Sequence, residues 1–156
     1  MAQRSFKNVG STLKQIQSSA PVEQTFPIGI KTPMSLNANG NPYTMNTSVE
    51  SQIQDNLRNL LMTNWGERLG IYDYGANLRS LLSEMSNNTN IDNEVMRLIN
   101  DAVSKFMPFI SLETLDMKFL QSDRNAQAKY QIIVNYSVPR INVRNQKVKI
   151  ILEAMG

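Results

Sequence analysis

TNWGERLGIYDYGANLRSLL, residues 63–82, is the stretch on which the reading of this chain turns. It sets Gly66-Glu67-Arg68 a few residues before Tyr72-Asp73-Tyr74-Gly75, and then runs into an amphipathic segment. Two readings compete. Glu67 and Asp73 in one loop have the makings of an acid/base pair. Alternatively, Gly66 and Gly75 supply positive φ at two helix boundaries, and the polar and aromatic residues between them lock a connector in shape.

Working outward, Val49, Ile53, Leu57, Leu60 and Leu61 recur at helical spacing, with Gln52, Asp55 and Arg58 on the other face. Thr47 and Glu50 have capping-box spacing, which starts this helix near Thr47 and ends it before Gly66. A second helix is expected from Ala76 to Met85, with Leu78, Leu81 and Leu82 facing inward. A third follows the Asn-rich break, capped by Asn90 or Asp92. It carries the stripe Ile91, Val95, Leu98, Ile99, Ala102, Val103 and Phe106, and Pro108 ends it.

Beyond Pro108 the period changes to two. ISLETLDMKFLQ alternates loosely. Tyr130, Ile132, Val134, Tyr136 and Val138 share one face of the next strand, and Val148, Ile150 and Leu152 share one face of the last. Helices before strands predict an α+β fold: two to three helices followed by a three-stranded antiparallel sheet, with an extended N-terminal arm. Residues 1–25 read as that arm, either a flexible tail or a segment that orders on a partner, and residues 26–156 as a single domain. Met34-Ser35-Leu36 and Tyr43-Thr44-Met45 flank an Asn39-Gly40 turn signal, which predicts a short, loose hairpin.

Composition narrows the chemistry. The 156 residues are 41% hydrophobic, enough for a core, and contain no Cys and no His. Disulfides, thiolate nucleophiles and Ser-His triads are excluded, and the commonest metal ligands are missing. No cofactor, no metal and no catalytic residue is expected. The net charge of +3 is mild, and nucleic-acid binding would need a clustered basic patch where an ordinary solvated surface suffices, so nucleic acid is not the expected partner. No apolar run reaches the length of a membrane span, and the N-terminus lacks the apolar core of a signal peptide, so synthesis in a cytoplasm is expected. A glycosidase would need two carboxyl groups flanking the bond, with Glu67, Asp73 and Glu84 as candidates. Arg68 in contact with Glu67 would favour the ionised carboxylate, whereas a general acid needs the opposite. Arg68 is also suited to tying loop carbonyls, so Glu67 and Arg68 read best as a polar clasp on a helix–loop–helix connector.

Leu60-Leu61-Met62-Thr63, Gly66-Glu67-Arg68, Tyr74-Gly75, Leu78 and Leu82 resemble the wedge protein of contractile phage-tail baseplates, a family often labelled lysozyme-like. Related wedge components occur in type VI secretion systems. Ile28 to Met34 resembles the lead-in of T-even-like members, so the resemblance spans Phe26 to the C-terminus. Two departures stand out: Tyr72 occupies a place where relatives carry Pro, and Met107-Pro108-Phe109 replaces Glu-Pro-Arg. The resemblance implies a non-enzymatic structural role in the inner wedge of the tail baseplate of a virion, assembled in the host cytoplasm. Its partners would be other wedge subunits, the tail sheath protein, and central tube or hub proteins. It further implies that the sheet offers an edge to the first sheath ring. On that reading Gly66, Glu67, Arg68, Tyr74 and Gly75 form the structural motif, and Lys147, Val148, Lys149, Ile150 and Ile151 form the partner-binding edge. Lys147 and Lys149 serve equally as an ordinary solvated strand face or as guards of an exposed edge. The alternative, carried by the family label, is a peptidoglycan hydrolase of the tail.

Overall fold

Ser48 opens the first helix, where its hydroxyl accepts a bond from the backbone N–H of Ser51 at 3.2 Å. The helix is α1, Val49–Met62. The cap is therefore Ser48 rather than Thr47, because Ser48 has the extended backbone (φ −113°, ψ 142°) that turns its side chain back onto the first turn. Glu50 stays in that turn, at the positive end of the helix dipole. The computed structural model describes residues 26–36, 42–82, 91–120 and 129–153. The expectations for the arm at 1–25, the Asn39-Gly40 turn, Glu84, the second helix beyond Leu82, the Leu82 side chain and an Asn90 cap lie outside the described residues.

Helix α2 is Leu78–Leu82 and α3 is Ile91–Phe106. Asp92 lies inside the first turn of α3 and so is not its cap. The strands follow: β3, Ser111–Leu120; β4, Lys129–Val138; and β5, Val143–Glu153. Both pairings are antiparallel and the order is β3-β4-β5, so β4 is central and β5 is an edge. A 3-10 turn, Pro139–Ile141, joins β4 to β5, and Asn142 closes it at φ 56°, a value Asn tolerates. Strand β5 starts at Val143, earlier than its alternation indicates, because Asn145 at φ 55° and a register shift between Tyr136 and Val138 interrupt the pleat there.

The helices cover one face of the sheet. Leu57, Leu60 and Leu61 of α1, Val95, Ile99 and Val103 of α3, and Leu78 of α2 meet Ile132, Val134, Tyr136, Val148 and Ile150 in one buried cluster. The period-two reading is met from Ile132 to Val138 in β4 and from Val148 to Leu152 in β5, where each second residue is buried and its neighbours are not, while Tyr130 is only partly buried. Met107 is buried and Phe109 packs against the same cluster, so the departure from Glu-Pro-Arg turns apolar groups into the chain's own core.

Upstream, β1 (Gly29–Ile30) pairs antiparallel with β2 (Met45–Asn46), extended by bonds from Lys31 N–H to Thr44 O at 3.0 Å and from Thr44 N–H to Ser35 O at 2.9 Å. The regular ladder thus lies at Gly29–Ile30 and Met45–Asn46, while Ser35 and Thr44 of the expected hairpin meet beyond it through backbone and side-chain bonds. This pair sits on the polar side of α1. Asp55 accepts from Thr32 N–H at 2.9 Å and from Asn46 Nδ2 at 2.7 Å, and Gln52 Oε1 accepts from Asn46 at 3.3 Å. Gln52 and Asp55 are half-buried clamps, not a solvent face.

Candidate functional site

The connector between α1 and α2 folds back onto the helix it leaves. An α-helix ends with carbonyls that lack intrahelical partners. Here Ala76 N–H donates to Leu60 O at 3.2 Å and Asn77 N–H to Thr63 O at 3.3 Å. That return requires close backbone contact, and Gly75 provides it. A Cβ at Gly75 would lie 2.2 Å from Thr63 O, and its φ is +114°. Gly66, at φ +86°, lies beyond the helix end in the turn itself, since α1 ends at Met62 and its cap Thr63 already has extended backbone.

Between these glycines the loop is closed by Gly66 N–H to Tyr72 O at 2.7 Å and by Trp65 Nε1 to Gly75 O at 3.0 Å. Glu67 does not take its bonds from Arg68. Its two carboxylate oxygens accept from Asn64 N–H at 2.8 Å and Asn64 Nδ2 at 2.7 Å. Asn64 Oδ1 in turn accepts from Arg79 N–H at 3.3 Å, linking the end of α1 to α2. Arg68 instead lays its guanidinium 4.1 Å from the centroid of the Tyr74 ring. Tyr74 packs at 4.9 Å on Phe106, and Asp73 bonds Lys105, so α3 pins the far side of the loop. The clasp is therefore three separate contacts rather than one Glu67–Arg68 pair. Sequence reasoning missed Asn64 and Lys105. The three-residue spacing of Asn64 and Glu67 was a local signal for the first; Lys105 lies 32 residues from Asp73 and had none.

These contacts also fix the electrostatics. The Asn64 backbone and side-chain donors hold the Glu67 carboxyl below its usual range, helped by Arg79. Lys105 does the same for Asp73. Both groups are exposed. A general acid for glycoside cleavage needs a carboxyl pushed upward by burial or by a second negative charge, and neither candidate has that environment. A cleft of about 360 Å³ beside the loop is lined by Asn56, Asn59, Thr63, Glu67, Arg68 and Tyr74. A larger one of about 410 Å³ lies between α3 and β3, with Met96, Leu112 and Leu115 in its wall, away from both carboxylates. Among the described residues no cluster of three or more Asp or Glu is placed to hold a metal, and no helix is long and apolar enough to cross a membrane.

The second set of expected residues lies on β5. Val148 and Ile150 are buried beneath the helices, so they belong to the core. Lys147, Lys149 and Ile151 are exposed on the opposite face. Across the sheet Lys147 stands opposite Asn135 and Lys149 opposite Ile133. Gln54 of α1 reaches this edge, where its Nε2 donates to Lys147 O at 2.9 Å.

The family described as "Baseplate wedge protein gp25" matches residues 47–143, more than half of the chain. No curated protein matches significantly. Among solved structures, a Geobacter sulfurreducens protein with the provisional name tail lysozyme is 20% identical, with 70% of this chain and 93% of that one covered, at a TM-score of 0.45. A chain of the anti-feeding prophage baseplate is 17% identical, with 80% and 82% covered, at a TM-score of 0.49. A chain of the baseplate complex from the type VI secretion system is 15% identical, with 67% and 93% covered, at a TM-score of 0.45.

Proposed function

Since the chain belongs to the baseplate wedge protein gp25 family and is thus a structural baseplate component, we propose that it acts without catalysis in the inner wedge, where the β5 edge templates the first ring of tail sheath. The observation that carries this reading is the topology: β5 has β4 on one side and no strand on the other among the described residues. An open edge is a row of unsatisfied backbone groups, and an extended segment from another chain satisfies them by adding a strand. We read the Lys147 carbonyl that meets Gln54 as one directed off the sheet. By the alternation of an antiparallel ladder, the backbone N–H groups of Lys149 and Ile151 then also point outward. Other wedge subunits and tube or hub proteins complete the partner set on this reading, in a tail baseplate assembled in the host cytoplasm.

Lys149→Pro tests the proposal. It deletes an N–H that β4 does not use, so the domain should fold while the added strand loses a donor. Baseplates carrying the variant are expected to assemble and to nucleate sheath poorly. Normal sheath growth on those baseplates would refute the strand template. The hydrolase alternative makes the opposite demand, namely release of peptidoglycan fragments by the purified protein that is abolished in Glu67→Gln.

A further inference from the structure

Strand β5 carries its charge on the face that the helices leave open. Lys147 and Lys149 are exposed there, and Ile151 beside them is 44% exposed. Residues two apart on a strand stand about 7 Å apart on one face, so the two ammonium groups are like-charged neighbours. The sheet does not balance them. Their partners on β4 are Asn135 and Ile133, both uncharged. Asp116 shares a row with Lys149, but it lies on β3, two strands away, with Ile133 between them. Glu153, the next carboxylate along β5, is bonded to Lys129 at 3.0 Å. Among the described residues no carboxylate is within ion-pair reach of either lysine. From the helix side the edge is met by neutral Gln54, with Glu50 and Arg58, one turn to either side of it on α1, carrying opposite charges.

We propose that the strand β5 accepts from the sheath is acidic, with Asp or Glu at the two alternate positions that come to lie beside Lys147 and Lys149, and an apolar residue beside Ile151. This selection rests on the strand-template reading and specifies what the template takes. An added strand brings its side chains to about 5 Å from those of β5, nearer than Asp116 stands. There an acid neutralises a lysine that the sheet leaves unpaired, while a Lys or Arg adds a third like charge. The same two lysines thus guard the edge against indiscriminate pairing and admit a complementary strand. A second copy of β5 laid antiparallel about Lys149 is refused on this ground, since it sets lysine against lysine.

Zero-length carbodiimide cross-linking of purified tails joins amines to carboxylates in contact with them, and mass spectrometry reads the pairs. The expected result links Lys147 and Lys149 each to an Asp or Glu of one sheath segment, the two acids lying two residues apart. Lys147→Glu combined with Lys149→Glu should lower the fraction of baseplates that carry sheath roughly tenfold, and the double Gln variant several-fold, both with melting temperatures close to the parent's. Should the double Glu variant fold poorly, the Gln variant and the cross-links decide. Parental sheath growth in the double Gln variant overturns the acidic strand. So do sheathed tails that yield no link from either lysine, or links that run to a second copy of this chain or to another tail protein. If Lys149→Pro still blocks growth in any of those cases, the template stands without charge selection; if it does not, both fall.

Discussion

At the scale of single residues, Gly66 and Gly75 look alike in the sequence and differ in what they do. Both have positive φ, but only Gly75 is pressed against backbone, with Thr63 O at 2.2 Å from where a Cβ would stand. Gly75→Ala is expected to cost about 3 kcal/mol or more in urea denaturation, and Gly66→Ala about 1 kcal/mol. Equal losses would mean that Gly75 serves only its backbone angle. Glu67 gives a second residue-scale expectation. Its carboxyl is held below the usual range by Asn64, so the stability it contributes is present above the unfolded-state value of about 4.3 and fades as pH falls through the lowered folded value. The urea-midpoint gap between the parent and Glu67→Gln should be open at pH 7 and narrow in strong acid. A gap that widens in acid would reverse the sign. The sequence placed Glu67 and Arg68 side by side, and adjacency misled. The loop turns between them, sending one to Asn64 and the other to Tyr74, a separation that depends on where residues 72–77 return.

At the scale of elements, local periodicity carried most of the information. The stripe of α3 and the alternation of β4 are each set by neighbours within a turn or a pleat, and both were legible. The polar side of α1 was not, because what covers Gln52 and Asp55 comes from residues 29–46, and no period within the helix reports it. Asp55 makes this clamp testable. Its carboxylate accepts a backbone and a side-chain donor, so Asp55→Ala should cost about 2 kcal/mol and release the β1–β2 pair first. Hydrogen exchange would then speed up at the Lys31 amide, which bonds Thr44 O across the pair, before it does in β4. Unchanged protection at Lys31 would show that β1 and β2 hold to each other without the helix.

At the scale of the whole molecule, the helices-then-strands order was enough to anticipate an antiparallel sheet covered on one face. Which strands form the edges was not legible in periodicity, because that depends on pairing between distant segments; the edge role of the last strand came only from the family resemblance. The observed order β3-β4-β5 gives the proposed template its geometry: helices bury one face, β4 is sealed between neighbours, and β5 is an edge with Lys147, Lys149 and Ile151 exposed on the uncovered face. The most direct measurement is a cryo-electron microscopy map of the assembled tail, read at residues 147–153. The account predicts a strand of the first sheath ring hydrogen-bonded along β5, continuing the sheet beyond Lys149 and Ile151. A map in which the sheath contacts this protein elsewhere and leaves that edge in solvent would contradict it.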